Sequence, residues 1–193
     1  MNRISIAVAA ALLLSACGTA PPARPPLEGA TIGGPFALTD QNGRTVKDTD
    51  FAGKYRLVYF GYTTCPDICP TDMQRIAAVL RDLDKSDPAL AARLAPIFIT
   101  IDPERDGVKE LKQFADAFDP RIVALTGTTQ AIAAVAKAYG VPFAKGAVNA
   151  EGGYLMDHGT LTYLMGPDGK PIAYFSHDMT VAQVIAELRQ WVK

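Results

Sequence analysis

The sequence predicts an α/β fold in which a central mixed β-sheet is flanked by helices. Runs of aromatic and β-branched residues alternate with segments whose apolar residues recur at helical spacing. An N-terminal β-hairpin precedes this alternation, and a second hairpin followed by a helix closes the chain. The 193 residues suit one domain, and a net charge of -1 without a long basic run excludes nucleic acid as a partner.

The first predicted elements surround a pair of cysteines. Residues 36–46 are expected to form the N-terminal hairpin, with Asn42 and Gly43 in a type I′ turn. Residues 55–62 are aromatic and branched, which predicts a buried strand. Beyond the cysteines, apolar residues at helical spacing predict a helix; these are Met73, Ile76, Ala77, Leu80 and Leu83.

Two strand–helix pairs and a closing hairpin follow. The pairs have predicted strands at 95–101 and 122–125 and predicted helices at 108–118 and 129–139. Gly140 is the expected C-cap of the second helix. The hairpin joins 159–165 to 171–175, and Thr180 with Gln183 begins the last helix through a capping box. The order β-α-β-α-β-α-β-β-α is that of a thioredoxin-like fold.

The N-terminus has the features of an export signal. Residues 1–16 carry one charge, Arg3, followed by a short apolar stretch and two small residues. The junction that follows resembles the lipobox of bacterial lipoproteins, which implies that Cys17 is lipidated. Residues 17–33 then form the lipidated end and a Pro-rich tether, and residues 34–193 the folded domain. We expect an exported lipoprotein, anchored to a membrane, with its domain in the periplasm or otherwise outside the cytoplasmic membrane.

The stretch GYTTCPDICPTDM contains the other two of the three cysteines. Pro66 suits the first position of a helix, so the helix N-terminus is expected to point free N–H groups at the Cys65 sulfur and lower its pKa. Cys65 and Cys69 are four residues apart, and one helical turn places both sulfurs on the same face. In an oxidising compartment they can close as a Cys65–Cys69 disulfide, and otherwise they can chelate a metal.

One of the two histidines is the expected third ligand. His158 precedes the closing hairpin, and in a thioredoxin-like fold that loop lies beside the cysteine turn. His177 lies at the entrance to the last helix, where a solvated role is expected. Two thiolates and one imidazole form a soft set of low coordination that suits copper as Cu(I) or Cu(II). Zinc with a bound water stays open as the alternative metal.

Three separated motifs resemble those of the Sco/SenC family of copper-binding proteins. They are CPDICP at 65–70, TIDPERD at 100–106 and DHGTLTYLMGPDGK at 157–170. The resemblance implies a thioredoxin-like, membrane-tethered protein that helps to assemble the dinuclear copper site of cytochrome c oxidase subunit II. It also implies that Cys65, Cys69 and His158 are the copper ligands.

The sequence departs from the family pattern at two places near these motifs. Thr64 stands where a histidine is common, a change that is not expected to affect metal ligation. Residues 146–153 contain Glu151 as their one acid, whereas family members often carry several acids there for partner contact. This stretch therefore provides a single acid where the resemblance would imply several for partner contact.

Two functional hypotheses remain. In the first, the protein passes copper by ligand exchange to cytochrome c oxidase subunit II, to another copper protein or to another copper chaperone. In the second, Cys65 and Cys69 are a redox-active pair that reduces the cysteines of a partner. Their spacing has one residue more than the usual oxidoreductase motif, which favours metal binding. A peroxidase and a purely structural disulfide are weaker alternatives.

Overall fold

The computed structural model describes residues 24–193. The predicted signal peptide, the predicted lipidation site at Cys17 and the first part of the predicted tether lie outside these described residues. Leu27 and Ile32 pack against the core of the domain, and the Leu27 N–H donates to the Ile172 carbonyl oxygen at 3.0 Å. Among residues 24–193, no helix combines the length and the hydropathy needed to cross a membrane.

The centre of the structure is a seven-stranded mixed sheet. The strands of the chain are β1 (Ala37–Asp40), β2 (Thr45–Lys47), β3 (Tyr55–Gly61), β4 (Leu94–Thr100), β5 (Val123–Thr126), β6 (Phe143–Lys145), β7 (Met156–His158), β8 (Thr162–Met165) and β9 (Pro171–Phe175). Seven of them pair in the order β2-β1-β5-β4-β3-β8-β9. The neighbours β3, β4 and β5 run parallel, while β8 is antiparallel to β3 and β1 is antiparallel to β5. The predicted central mixed sheet is confirmed.

Helices flank this sheet, as predicted for the thioredoxin-like fold. They are α1 (Ile68–Ser86), α2 (Pro88–Ala91), α3 (Val108–Asp116), α4 (Thr129–Ala138) and α5 (Val181–Trp191). Tyr139 is the C-cap of α4, so the predicted C-cap, Gly140, lies one residue further along; its φ of +66° is the left-handed conformation that often follows a helix end. The side chains of Thr180 and Gln183 form the predicted capping box of α5.

Strands β3 and β4 run parallel through the core, so their C-terminal ends meet at one edge of the sheet. All seven residues of β3 are buried, as is usual for an interior strand of a sheet that helices flank. The cysteine turn follows β3 and residues 101–107 follow β4. These two turns are consequently neighbours, and the Ile101 N–H donates to the Gly61 carbonyl oxygen at 2.8 Å.

The short strands β6 and β7 form a second, two-stranded antiparallel sheet. The sequence predicted a loop before the closing hairpin, and this prediction is wrong for the segments that pair. Phe143 lies opposite His158 in the register, and Lys145 lies opposite Met156. His158 is therefore presented from a strand and not from an irregular loop.

The turn of the N-terminal hairpin differs from the predicted type I′. That turn requires positive φ at both central residues, whereas Gly43, at +78°, is the one with positive φ. The Asp40 carboxylate accepts hydrogen bonds from the N–H groups of Asn42 and Arg44 at 2.8 Å each. This local bonding stabilises a longer turn in which Asn42 keeps a negative φ.

Candidate metal centre

The cysteine turn joins the end of β3 to the start of α1. The helix begins at Ile68, so the prediction that Pro66 occupies the first helical position is wrong. The side chain of the N-cap residue, Asp67, makes no capping hydrogen bond. Instead, the N–H of Cys69 in the first helical turn donates to the Cys65 sulfur at 3.5 Å. The two sulfurs lie close together because Cys65 lies just before the N-terminal end of α1, and not because both cysteines share a helical face.

The two thiols have opposite electrostatic environments. Partial burial by itself raises the pKa of Cys65, but the backbone N–H groups of Asp67 and Cys69 outweigh it and the net pKa is lowered. The predicted effect of the helix N-terminus on Cys65 thus acts through specific N–H groups. Burial strongly raises the pKa of Cys69, which is fully enclosed by protein. Both residues are free thiols in the structure, and the disulfide between them stays a prediction.

These environments predict a large difference in alkylation between the two cysteines. In the reduced, metal-free protein near pH 7, iodoacetamide is expected to modify Cys65 well before Cys69, because Cys65 is partly exposed and favours the thiolate. Peptide mapping by mass spectrometry after short exposures measures the two rates. Equal rates, or faster modification of Cys69, would contradict the assigned environments.

His158 approaches the cysteines from β7. Its Nε2 atom lies 3.4 Å from the Cys69 sulfur, and its Nδ1 atom lies 2.8 Å from the Gly159 carbonyl oxygen. Because a carbonyl oxygen only accepts hydrogen bonds, Nδ1 carries the proton and Nε2 presents its lone pair to the sulfurs. The structure thus brings together the three predicted ligands, Cys65, Cys69 and His158, with their ligand atoms all within 4.8 Å of one another.

Aromatic rings and a glycine shape the space around these ligands. The rings of Tyr59 and Tyr62 pack edge-on against the His158 ring, with centroid distances of 6.4 and 5.9 Å. Gly61, at the end of β3, faces Cys69 so closely that an added Cβ would lie 2.9 Å from the sulfur. The absence of a side chain at Gly61 is therefore what makes room for Cys69.

His177 and Asp157 do not belong to the ligand group, although Asp157 adjoins His158 in the chain. His177 is exposed, as expected for a solvated residue, and its carbonyl oxygen accepts a hydrogen bond from the Arg75 side chain. Asp157 is also exposed. Met73 and Met156 are buried among the core residues of the domain. Thioether ligation is not needed to explain their positions.

A buried polar cluster lies beneath Cys69, and the sequence reasoning missed it. It contains Tyr59 and Asp72, both fully buried, and Asp72 is paired with Arg75 at 2.8 Å. Burial raises the pKa of Asp72 against the attraction of Arg75. Burial also raises the pKa of Tyr59, and the nearby Cys69 and Asp72 add to this effect. The feature of the sequence that could have revealed this cluster is Asp72, a carboxylate three residues after Cys69 on the apolar face of α1.

The arrangement offers two sulfurs and one imidazole nitrogen to a single ion. Structural zinc sites usually close with four protein ligands, and the group within residues 24–193 contains three. Thiolate and imidazole donors at low coordination suit copper. The two thiols also lie close enough to each other to act together in thiol–disulfide exchange.

Comparison with known sequences decides the family. The SCO1/SenC family profile matches residues 24–193. The chain belongs to the SCO1/SenC family. The family resemblance predicted from the three motifs is confirmed, since the match covers the whole described domain.

Similar SCO1/SenC proteins include mitochondrial and bacterial members. The human protein called "Protein SCO1 homolog, mitochondrial" is 36% identical over 157 residues, covering 81% of this chain and 52% of that protein. The chain thus spans about half the length of this relative. Copper-bound ScoI of Bradyrhizobium japonicum is 42% identical with a TM-score of 0.75, covering 83% of this chain and 99% of that one. Copper-bound ScoI of Arabidopsis thaliana is 32% identical with a TM-score of 0.77, covering 82% and 97%.

Proposed function

We propose that this protein is a membrane-tethered copper chaperone that helps to assemble the dinuclear copper site of cytochrome c oxidase subunit II. The observation that carries the proposal is the convergence of two sulfurs and one imidazole nitrogen within 4.8 Å. Cys65, Cys69 and His158 are the proposed copper ligands. Similarity to two copper-bound ScoI proteins supports copper as the metal. The proposed anchor is a lipid on Cys17, which holds the domain outside the cytoplasmic membrane.

Low coordination fits a protein that gives its metal away. A site with three protein ligands leaves room for an incoming ligand, so exchange does not require prior loss of a bond. The Nδ1–H of His158 is held by the Gly159 carbonyl oxygen at 2.8 Å, which keeps Nε2 ready for metal. Cys65 is partly exposed, so an acceptor protein can reach the site.

The test of this function is copper X-ray absorption combined with anaerobic titration. Wild-type protein is expected to bind about one copper through two sulfurs and one nitrogen, the donor set that soft and borderline copper ions prefer. His158→Ala is expected to lose the nitrogen scatterer, while the matched control His177→Ala keeps it because His177 is exposed and outside the ligand group. A nitrogen shell that persists in His158→Ala would refute the histidine assignment.

The asymmetry of the thiols favours thiol–disulfide reduction as a second function. The Cys65 thiolate would attack a partner disulfide and release one partner sulfur as thiolate. Cys69 would then attack the mixed disulfide, forming the Cys65–Cys69 bond and releasing the second partner sulfur. The Cys69 proton passes to a released thiolate. In total, the partner disulfide gains the two electrons that Cys65 and Cys69 lose when they form their own disulfide. Sustained reduction of a partner disulfide by protein that retains no copper would favour this function over the first.

A further inference from the structure

The turn formed by residues 101–107, between β4 and α3, contacts the cysteine turn of the candidate metal site. Asp106 in this turn is fully buried. Its carboxylate accepts hydrogen bonds from the Thr63 N–H at 2.9 Å and from the hydroxyls of Thr63 and Thr100 at 2.6 Å each. Thr63 lies two residues before Cys65. Asp106 therefore ties the cysteine turn to the end of β4.

Arg105, one residue earlier, contacts the histidine side. Its Cζ atom lies 3.6 Å from the centroid of the Tyr154 ring, and its Nη1 donates to the Tyr154 carbonyl oxygen at 2.9 Å. Its Nε donates to Asp102, whose other carboxylate oxygen accepts the Tyr154 hydroxyl at 3.0 Å. Tyr154 lies two residues before β7, the strand that carries His158. Arg105 thus holds both the ring and the backbone of the approach to that strand.

The strand that carries His158 depends on such contacts. β6 and β7 are hydrogen-bonded to each other and are separate from the seven-stranded sheet. A two-stranded pair on its own is marginally stable in water. Arg105 also supports the imidazole through Tyr62, since its Cζ lies 5.7 Å from the Tyr62 ring centroid and that ring packs edge-on against His158.

We propose that Arg105 is a positioning residue for His158 and that Asp106 is a positioning residue for the cysteine turn. One short turn then sets the geometry of both kinds of ligand. Neither side chain belongs to the ligand group itself. This inference rests on the proposed copper-binding function and adds the residues that hold its ligands in place.

The test compares Arg105→Met with Arg121→Met. Arg121 also pairs with carboxylates, Asp84 at 2.8 Å and Asp119 at 2.7 Å, but contacts no part of the centre through these bonds. Arg105→Met is expected to lower Cu(II) affinity about 10-fold and to weaken the nitrogen scatterer, as loss of a partner that orients a ligand does. Cu(I), held mainly by the two sulfurs, is expected to bind nearly as in wild type. Arg105→Lys is expected to recover part of the loss, because lysine keeps the charge without the planar fork.

A metal-free readout separates this inference from the proposed function. In nitrogen-15 NMR spectra of the reduced protein, wild type and Arg121→Met are expected to show the Nδ1–H tautomer of His158. Arg105→Met is expected to show a broadened signal or a mixture of tautomers. Unchanged His158 signals and unchanged Cu(II) affinity in Arg105→Met would overturn the role of Arg105. If wild type binds no copper while the NMR difference persists, the proposed function fails and the positioning role stands.

Asp106→Asn is expected to lower both Cu(I) and Cu(II) affinity, because the cysteines bind copper in either state. Thr63→Val provides a milder variant, since it removes one of the three hydrogen bonds and leaves Asp106 in place. It is expected to shift both affinities in the same direction by a smaller amount. Wild-type Cu(I) affinity in both folded variants would overturn the role of Asp106.

Discussion

Simultaneous replacement of Cys65 and Cys69 by serine is expected to reduce copper retention from about one equivalent per chain to background, because Cu(I) requires soft donors. Serine is close in size to cysteine, so the turn and the helix start are expected to survive. The hydroxyl remains protonated near neutral pH and binds Cu(I) poorly. Copper content after gel filtration under anaerobic conditions, measured by atomic absorption, gives the result directly.

The matched control for this variant is the same change at Cys17. Lipidation is predicted for Cys17, and that residue is not expected to bind metal. Cys17→Ser is therefore expected to retain wild-type copper in the unlipidated protein. Comparable copper in the double variant and in wild type would exclude the two sulfurs as the main ligands.

Gly61→Ala is expected to damage both the fold and the centre. The new methyl group would lie 2.9 Å from the Cys69 sulfur, 2.9 Å from Tyr59 Cε1 and 3.0 Å from Phe98 Cε2. All of these neighbours are fully buried, so none can move aside into solvent. Overpacking of this kind costs about 1–3 kcal/mol of unfolding free energy. Displacement of the sulfur is expected to weaken Cu(I) binding by about 10-fold as well, in line with other perturbations beside metal ligands.

Gly34→Ala is the control for this substitution. Its added Cβ would meet Ala138 Cβ at 3.5 Å, an ordinary contact, and its backbone does not have positive φ. Urea unfolding and competitive Cu(I) titration of both variants provide the comparison. Gly61→Ala with the stability and affinity of Gly34→Ala would show that the space beside Cys69 can expand.

The parts of the fold that were predictable are those with strong local signals. β3 and β4 are short, largely buried runs rich in aromatic and branched residues, and their length and composition together predict interior strands. The start of α5 was predictable because Thr180 and Gln183 bond within one turn. The pairing of β6 with β7 had no such signal, since each has three residues and ten residues separate them.

The same distinction applies to the centre. The convergence of Cys65, Cys69 and His158 was predictable because the order of elements places the cysteine turn beside the segment that carries the histidine. The start of α1 was misplaced because Pro66 favours a first helical position, whereas here the Cys65 sulfur accepts the helical N–H of Cys69. Asp72 and Arg105 were missed because their importance arises from tertiary contacts. From sequence alone, charged side chains such as these are expected to be exposed to solvent.

The difference in burial between the two sulfurs has a consequence for the transfer of copper to an acceptor protein. Cys69 lies at the bottom, closed off by Tyr59 and Gly61, while Cys65 is at the rim. Under the proposed function, copper is therefore released in steps: the bond to the partly exposed Cys65 breaks early, and the bond to the buried Cys69 breaks last. An acceptor must insert a protruding ligand from one side, so a flat surface is a poor recipient. Under the proposed function, the difference in burial between the two sulfurs thus limits which proteins can take the metal.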